Sequence, residues 1–366
     1  MSLGIPASEL IERIPGPAFG AVLALIAWAS SRGRWPLALG MLLFMAGDWV
    51  LVALLPRFGV SYGPPQPQVL ALAVLRAPFA LLPTPLAFLA LAVGTCLAAY
   101  GFWHEPRQVR VTRQALRSPK LGLGPGPGPP LRLLHFGDLH VERVTHRERE
   151  LVRLVEALRP DLIVFTGDLL SMTRVHDPEA WEACRSVFAK LVAPLGVLLV
   201  AGSPAIDDDA IVETVLQGTP VRWLRDEIVT LTHHGRAFAV VGLSCTHKPF
   251  VDGPRLRHLL EEERQRTGDR PFTILLHHTP DLAPDAAEAG VDLQLSGHTH
   301  GGQVRLPLYG ALITGCLYGK AFEMGRREVG GMTLHVTRGI GMEGSGAPRV
   351  RFLCPPEIVL WEIGGV

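Results

Sequence analysis

Residues 1–104 contain three long apolar runs and few charges, and this restricts the fold more than any other feature of the chain. The first run is residues 17–31 (PAFGAVLALIAWASS), and the second is residues 35–55 (WPLALGMLLFMAGDWVLVALL), with Arg32 and Arg34 between them. An α-helix needs ~20 apolar residues to cross a bilayer, so the second run suffices and the first is short but usable. The third, residues 69–103, is too long for one span and carries Arg76, Pro78, Pro83 and Pro85 inside it. It predicts two short spans, or one span with a re-entrant piece buried in protein. A transmembrane helical region of three or four spans is therefore expected over 1–104. The apolar runs recur and follow Glu9 and Glu12, unlike a cleaved leader.

Arg107, Arg110, Arg113, Arg117 and Lys120 follow directly on the last run. Basic residues beside spans stay on the cytoplasmic side, so the rest of the chain is expected there, at a bacterial inner membrane. Asp48 and Arg76 lie inside apolar runs. An ionised group there costs ~2.5–3.5 kcal/mol on insertion scales, and the two are expected to pair. Residues 122–130 (GLGPGPGPP) can form neither helix nor sheet interior, so 105–130 reads as a basic juxtamembrane segment and a Gly/Pro linker. The remaining residues, 131–366, spread their charges like a soluble α/β domain. The net charge of +1 gives no reason to expect a nucleic-acid partner. Cys96, Cys184, Cys245, Cys316 and Cys354 show no metal-ligand or paired spacing, and are expected to be reduced thiols used in packing.

Within 131–366 one design repeats. The apolar stretch Leu131–Phe136 runs into Gly137-Asp138-Leu139-His140, and DLIVF runs into Gly167 and Asp168. GVLLVAGS is a third strand; FTILL ends in His277 and His278; VDLQLSGHTH ends in His298 and His300. In an extended chain residues two apart share a side, so Asp138 with His140, and His298 with His300, are expected to converge. The Gly301-Gly302 pair lets backbone approach where side chains would clash. A single strand-end Asp or His is usually a cap or a surface group. Four strand ends that each deliver a carboxylate or imidazole point instead to a metal site at the carboxyl edge of an open α/β sheet. Mixed Asp and His donors suit Mn, Fe, Zn or Co.

These blocks (DLH at 138–140, GDLL at 167–170, His278, GHTH at 297–300) resemble the calcineurin-like metallophosphoesterase superfamily. SGHTHGGQVRLP, TRGIG at 337–341 and FLCPPEI at 352–358 resemble its membrane-associated, YkuE/YaeI-like branch. The resemblance spans about residues 131–364 and implies a four-layer α-β-β-α sandwich of two mixed sheets. It further implies one divalent ion on Asp138, His140 and His300 and a second on His278 and His298, with Asp168 bridging. Two ions about 3.5–4 Å apart can activate a water and steady the attacking and leaving oxygens of a phosphoryl displacement. The expected substrate is a phosphorylated small molecule or a lipid-linked one, cleaved at a phosphoester or pyrophosphate bond near the membrane. Where the family carries GNHD, this chain reads Gly202-Ser203-Pro204. Ser203 then stands where a metal-binding Asn is expected and Pro204 where a His serves the phosphoryl or leaving group; Asp168, His298 and Ser203 are the candidate catalytic residues. Loss of one electrostatic group at a reacting centre costs ~10²–10³ in rate, which leaves activity in place. Asp207, Asp208 and Asp209 offer either a replacement ligand or acid, or the cap and first turn of the helix that follows. A catalytically weak metal-binding sensor or partner-binding membrane protein is the alternative reading of the changed block.

Overall fold

The computed structural model describes residues 7–121, 128–268, 270–343 and 349–365. They divide into two compact units: Met1–Arg107 with Glu343–Phe352, and Gln108–Met342 with Leu353–Val366.

The first unit is helical. Helices Gly16–Ser31 and Trp35–Ala53 coincide with the first two apolar runs. The third run breaks where its prolines require. Helix Gln66–Arg76 passes into a 3₁₀ turn at Ala77–Leu81, Pro83 adopts an extended conformation, and a new helix runs over Thr84–Ala99 with Pro85 in its first turn. Continuous helical stretches over Trp35–Phe58 and Thr84–Arg107, 24 residues each, are long and apolar enough to cross a membrane; Gly16–Ser31 is shorter. Their outward faces are apolar, with Leu39, Leu43, Val50, Leu86, Leu89 and Val93 exposed, while Met41, Met45, Val52 and Leu91 pack inward. Asp48 and Arg76 pair as the sequence suggests. Arg76 Nε and Nη2 donate to the two Asp48 oxygens at 2.6 and 2.7 Å, and its remaining donors reach Leu91 O (2.7 Å) and Thr95 Oγ1 (2.8 Å). A two-pronged pair with its other donors satisfied is the arrangement in which buried charge is tolerated.

The second unit carries fourteen strands among its described residues: β1 (Arg110–Arg117), β2 (Leu131–Phe136), β3 (Leu162–Phe165), β4 (Val197–Leu199), β5 (Val221–Trp223), β6 (Glu227–His233), β7 (Arg236–Gly242), β8 (Phe272–Leu276), β9 (Leu293–Ser296), β10 (Arg305–Leu306), β11 (Gly310–Ala311), β12 (Gly325–Val329), β13 (Met332–Val336) and β14 (Glu357–Gly364). They form two six-stranded mixed sheets, β1-β14-β2-β3-β4-β5 and β12-β13-β9-β8-β7-β6, and a small β10-β11 hairpin. Strands β2 to β5 are mutually parallel, as are β7, β8, β9 and β13. Period-two alternation builds the layers. Leu133, Leu162, Val164 and Trp361 face Phe238, Ile274, Leu276 and Leu295 between the sheets. The opposite face of the first sheet, with Leu134, Phe136 and Phe165, is covered by helices His146–Leu158, Pro178–Phe188 and Asp209–Leu216. Helices Pro249–Thr267 and Ala283–Glu288 cover the outer face of the second sheet. The result is the α-β-β-α sandwich.

The reading of 105–130 as a juxtamembrane segment and linker needs correction. Arg110–Arg117 is a strand paired in parallel with Glu357–Gly364, and exposed Arg113 and Arg117 alternate with half-buried Gln114 and Leu116. Charges suit an edge strand, and here they hid the alternation. Residues 122–127 of the Gly/Pro stretch lie outside the described residues. At the other end, residues 349–352 belong to the helical unit instead of the α/β domain: Arg351 N bonds Gly101 O at 3.1 Å, and Phe352 meets Tyr100 edge-on at 5.8 Å.

Candidate metal centre

Each loop that leaves the carboxyl end of β2, β3, β4, β8 or β9 enters one site. Asp138, His140, Asp168, His298 and His300 all have positive φ, from 45° to 72°. Side chains other than glycine pay for this conformation, although Asp and His tolerate it best. The convergence of Asp138 with His140, and of His298 with His300, is therefore not the pleat of an extended strand. β2 ends at Phe136 and β9 at Ser296, and left-handed turns beyond them aim the side chains. Backbone bonds hold those turns side by side: Asp138 N to Gly167 O (2.8 Å), Leu139 N to Asp168 O (2.9 Å), Gly297 N to His278 O (2.9 Å). The TRGIG segment closes the group from the second sheet, with Gly341 N on Asp138 O at 2.7 Å.

Two glycine pairs make the approach possible. A Cβ on Gly202 would sit 2.2 Å from Asp168 Oδ1, and one on Gly167 2.3 Å from Gly202 Cα. At Gly301 and Gly302, with φ of 59° and 82°, added carbons would meet Cys354 Sγ at 2.8 Å and Ala311 Cβ at 2.4 Å.

Asp138, His140 and His300 bring one ligand atom each within 4.8 Å of one another, as do Asp138, Asp168 and His278. Asp168 reaches both His140 and His278: its Oδ2 is 3.6 Å from His140 Nε2 and 3.4 Å from His278 Nε2. His140 Nδ1 faces Leu170 O (3.2 Å) and His278 Nδ1 faces Thr166 O (2.8 Å). Such carbonyls place the ring proton on Nδ1 and leave Nε2 free to coordinate. His298 turns its Nε2 to Gly315 O (3.0 Å) and so presents the other nitrogen. Ser203 also reaches the site, its Oγ 3.2 Å from His278 Nε2 and its N–H donating to Asp168 Oδ1 at 2.7 Å. Pro204 is exposed.

A divalent cation fits this set. His140 and His300 hold their Nε2 atoms 2.9 Å apart, where two lone pairs repel unless a proton or cation lies between them. Asp138 Oδ2 is buried with no hydrogen-bond partner among the described residues. Burial pushes the Asp138 carboxyl up to about 6, against the pull of charged His278. Burial also takes His298 down to about 3, helped by repulsion from His278, and so keeps it a neutral donor. For His278 burial opposes the charge, yet the Asp168 carboxylate, 3.4 Å from its Nε2, raises the ring well above its ordinary value: the pair favours a positive charge between them, which a divalent cation would supply in place of the proton. Asp168 is likewise buried, but His278, His140 and the Ser203 N–H hold it well below the carboxylate range.

The acidic triplet divides its tasks. Asp208 caps helix Asp209–Leu216 by accepting from Ala210 N, and Asp209 is exposed in its first turn. Asp207 does neither, and among the described residues no candidate metal group contains it. Its oxygens accept the N–H groups of Asp168 (2.7 Å), Leu169 (2.9 Å) and Gly202 (2.7 Å), which locks the β3 and β4 loops together. His277 turns away from the site, to Asp252 Oδ2 (3.2 Å) and Thr279 O (2.9 Å). One neighbour escaped the sequence reading: His247, beyond β7, has φ of 58° and forms a further group with His278 and His298. It follows the same strand-end rule, but RAFAVVG and His247 are separated by a Leu-Ser-Cys-Thr stretch that carries no motif.

The pattern of the calcineurin-like phosphoesterase family matches residues 131–302. The metallophosphoesterase YkuE of Bacillus subtilis is 31% identical over 288 residues, covering 75% of this chain and 94% of that protein. The UDP-2,3-diacylglucosamine pyrophosphatase LpxG of Chlamydia trachomatis is 26% identical, covering 70% and 89%. The phosphodiesterase YaeI of Escherichia coli is 24% identical, covering 64% and 82%.

Proposed function

The chain belongs to the calcineurin-like phosphoesterase family, a family of metal-dependent phosphoester hydrolases, and on that premise we propose a membrane-anchored enzyme that uses two divalent ions to cleave a lipid-linked or nucleotide-linked phosphoester or pyrophosphate. The observation that carries this reading is the convergence of Asp138, His140 and Asp168, from the carboxyl ends of β2 and β3 in the first sheet, with His278, His298 and His300, from the carboxyl ends of β8 and β9 in the second. Asp138, His140 and His300 would hold one ion and His278 and His298 the other, with Asp168 available to both. Mn, Fe, Zn or Co suits these donors. Such a pair supplies Lewis acidity and readies an attacking water.

The changed Gly202-Ser203-Pro204 block narrows the substrate. Pro204 can donate no proton to a departing alkoxide, whereas a phosphate leaving group departs already stabilised as an anion. This favours pyrophosphate cleavage, the reaction named for LpxG. A lipid anchor on the substrate is supported by two features. The helical unit exposes apolar faces on helices long enough to span a bilayer, and the loop whose Gly315 O bonds His298 exposes Leu308, Tyr309, Ile313 and Leu317. Anchoring in a bacterial inner membrane with the hydrolase on the cytoplasmic face is the reading that Arg107, at the end of the last apolar helix, supports; Arg110, Arg113 and Arg117 belong to β1.

The full chain, purified in detergent and loaded with Mn²⁺, is expected to hydrolyse a nucleotide diphospho-lipid faster than bis-p-nitrophenyl phosphate. Asp168→Asn should lower the rate by roughly 10³ or more. Equal rates for wild type and Asp168→Asn in a metal-loaded protein would leave the sensor reading in its place. Joint Ser203→Asn and Pro204→His measures what the altered block costs.

A further inference from the structure

We propose that His247 is a ligand of the second ion, filling the coordination position that the short hydroxyl of Ser203 serves poorly. The assignment rests on the two-ion reading above and adds to it a residue that lies outside every sequence block.

Count donors around each ion. The first would have Asp138, His140 and His300 together with Asp168, whose Oδ2 lies 3.6 Å from His140 Nε2. Without His247 the second has His278, His298 and Asp168, with only a neutral hydroxyl from Ser203, a weak donor for a borderline divalent ion. His247, His278 and His298 each offer an atom within 4.8 Å of the others. Ring centroids of His247 and His298 are 4.8 Å apart, and those of His247 and His278 5.9 Å, close to the 5.1 Å between His278 and His298. Three imidazoles surrounding one point, beside a carboxylate, form a cation site.

The position is built rather than accidental. His247 is exposed, yet its backbone holds the same left-handed conformation as the five other strand-end donors. The loop beneath it is tied down. Buried Asp252, in the first turn of helix Pro249–Thr267, accepts from Thr246 N (3.0 Å), Thr246 Oγ1 (2.7 Å) and Arg255 Nη2 (3.1 Å), and it also meets His277 Nε2 at 3.2 Å. His277 immediately precedes His278. One hydrogen-bonded chain thus fixes His247 against the strand end that delivers His278, as outer partners fix metal ligands elsewhere. This also gives His277, which faces away from the ions, a positioning task.

The test is metal binding by the full chain in detergent, stripped and then titrated with Mn²⁺, read by elemental analysis and by the low-temperature electron paramagnetic resonance signal of a coupled Mn pair. Wild type is expected to hold two ions per chain. His247→Ala is expected to keep the first, which also reports an intact fold, and to weaken the second by on the order of 10–100-fold with loss of the coupled signal. His247→Gln, which preserves bulk, should fall between the two and replaces the alanine variant if that fails to fold. Two ions bound by His247→Ala as tightly as by wild type would overturn the assignment while leaving the hydrolase reading intact. A wild type that holds no coupled pair would remove the two-ion reading itself, and the ligand assignment with it.

Discussion

Asp207 engages both carboxylate oxygens with backbone N–H groups, three in all, from the two loops that present Asp168 and Ser203. Nothing in the run AIDDD distinguishes it from its neighbours, because its role depends on a chain segment nearly forty residues earlier. Asp207→Asn turns an amide NH₂ toward at least one of those donors, and the unsatisfied group is expected to cost ~1–3 kcal/mol. The thermal midpoint of the detergent-solubilised chain should fall, and its Mn²⁺ affinity with it, although Asp207 touches no ion. A variant with unchanged midpoint and affinity would show the three bonds to be dispensable.

Among the elements, the β3 and β4 loops meet at two glycines with no room between them. Gly202→Ala places a carbon 2.2 Å from Asp168 Oδ1, so the carboxylate must move. A displacement of that order at a reacting group costs about 10²-fold in rate, and kcat is where the loss should appear. In the helical unit, Arg76→Leu leaves Asp48 buried and unpaired. Removal of one partner from such a pair costs ~3–5 kcal/mol. Thermal scanning in detergent should show a lower midpoint for Arg76→Leu than for Asp48→Asn with Arg76→Leu together; the reverse order would mean that the pair is not held by its charges.

Across the α/β unit as a whole, two histidines lie between the sheets. His135 bonds Thr166 Oγ1 at 3.0 Å, and His335 packs edge-on against Trp361 at 5.4 Å. Burial lowers both, His335 to about 4 from an ordinary 6.5. The folded chain therefore keeps His335 neutral where the unfolded chain would take up a proton. Its contribution is present above pH 6.5 and is lost as pH falls toward 4, a change of ~3 kcal/mol. His335→Leu should flatten the acid limb of a stability-against-pH curve measured at fixed metal. An unaltered slope would assign acid lability to other groups.

The strand-end arithmetic of Gly, Asp and His was legible in the sequence because each block is local: a strand, a turn and a side chain within a few residues. So were the apolar helices and the Asp48–Arg76 pair, since a charge inside an apolar run has few alternatives to another charge. The edge strand Arg110–Arg117 was not legible, because its pairing partner, Glu357–Gly364, stands at the far end of the chain and its exposed arginines resemble a membrane flank. His247, and the task of Asp207 as acceptor of three backbone N–H groups, were hidden for the same reason. The chain by itself decided which chemical groups each strand carries to its carboxyl edge. Only tertiary packing decided which of them share a point in space, because left-handed turns and hydrogen bonds between distant loops aim those side chains, and no local pattern encodes their meeting.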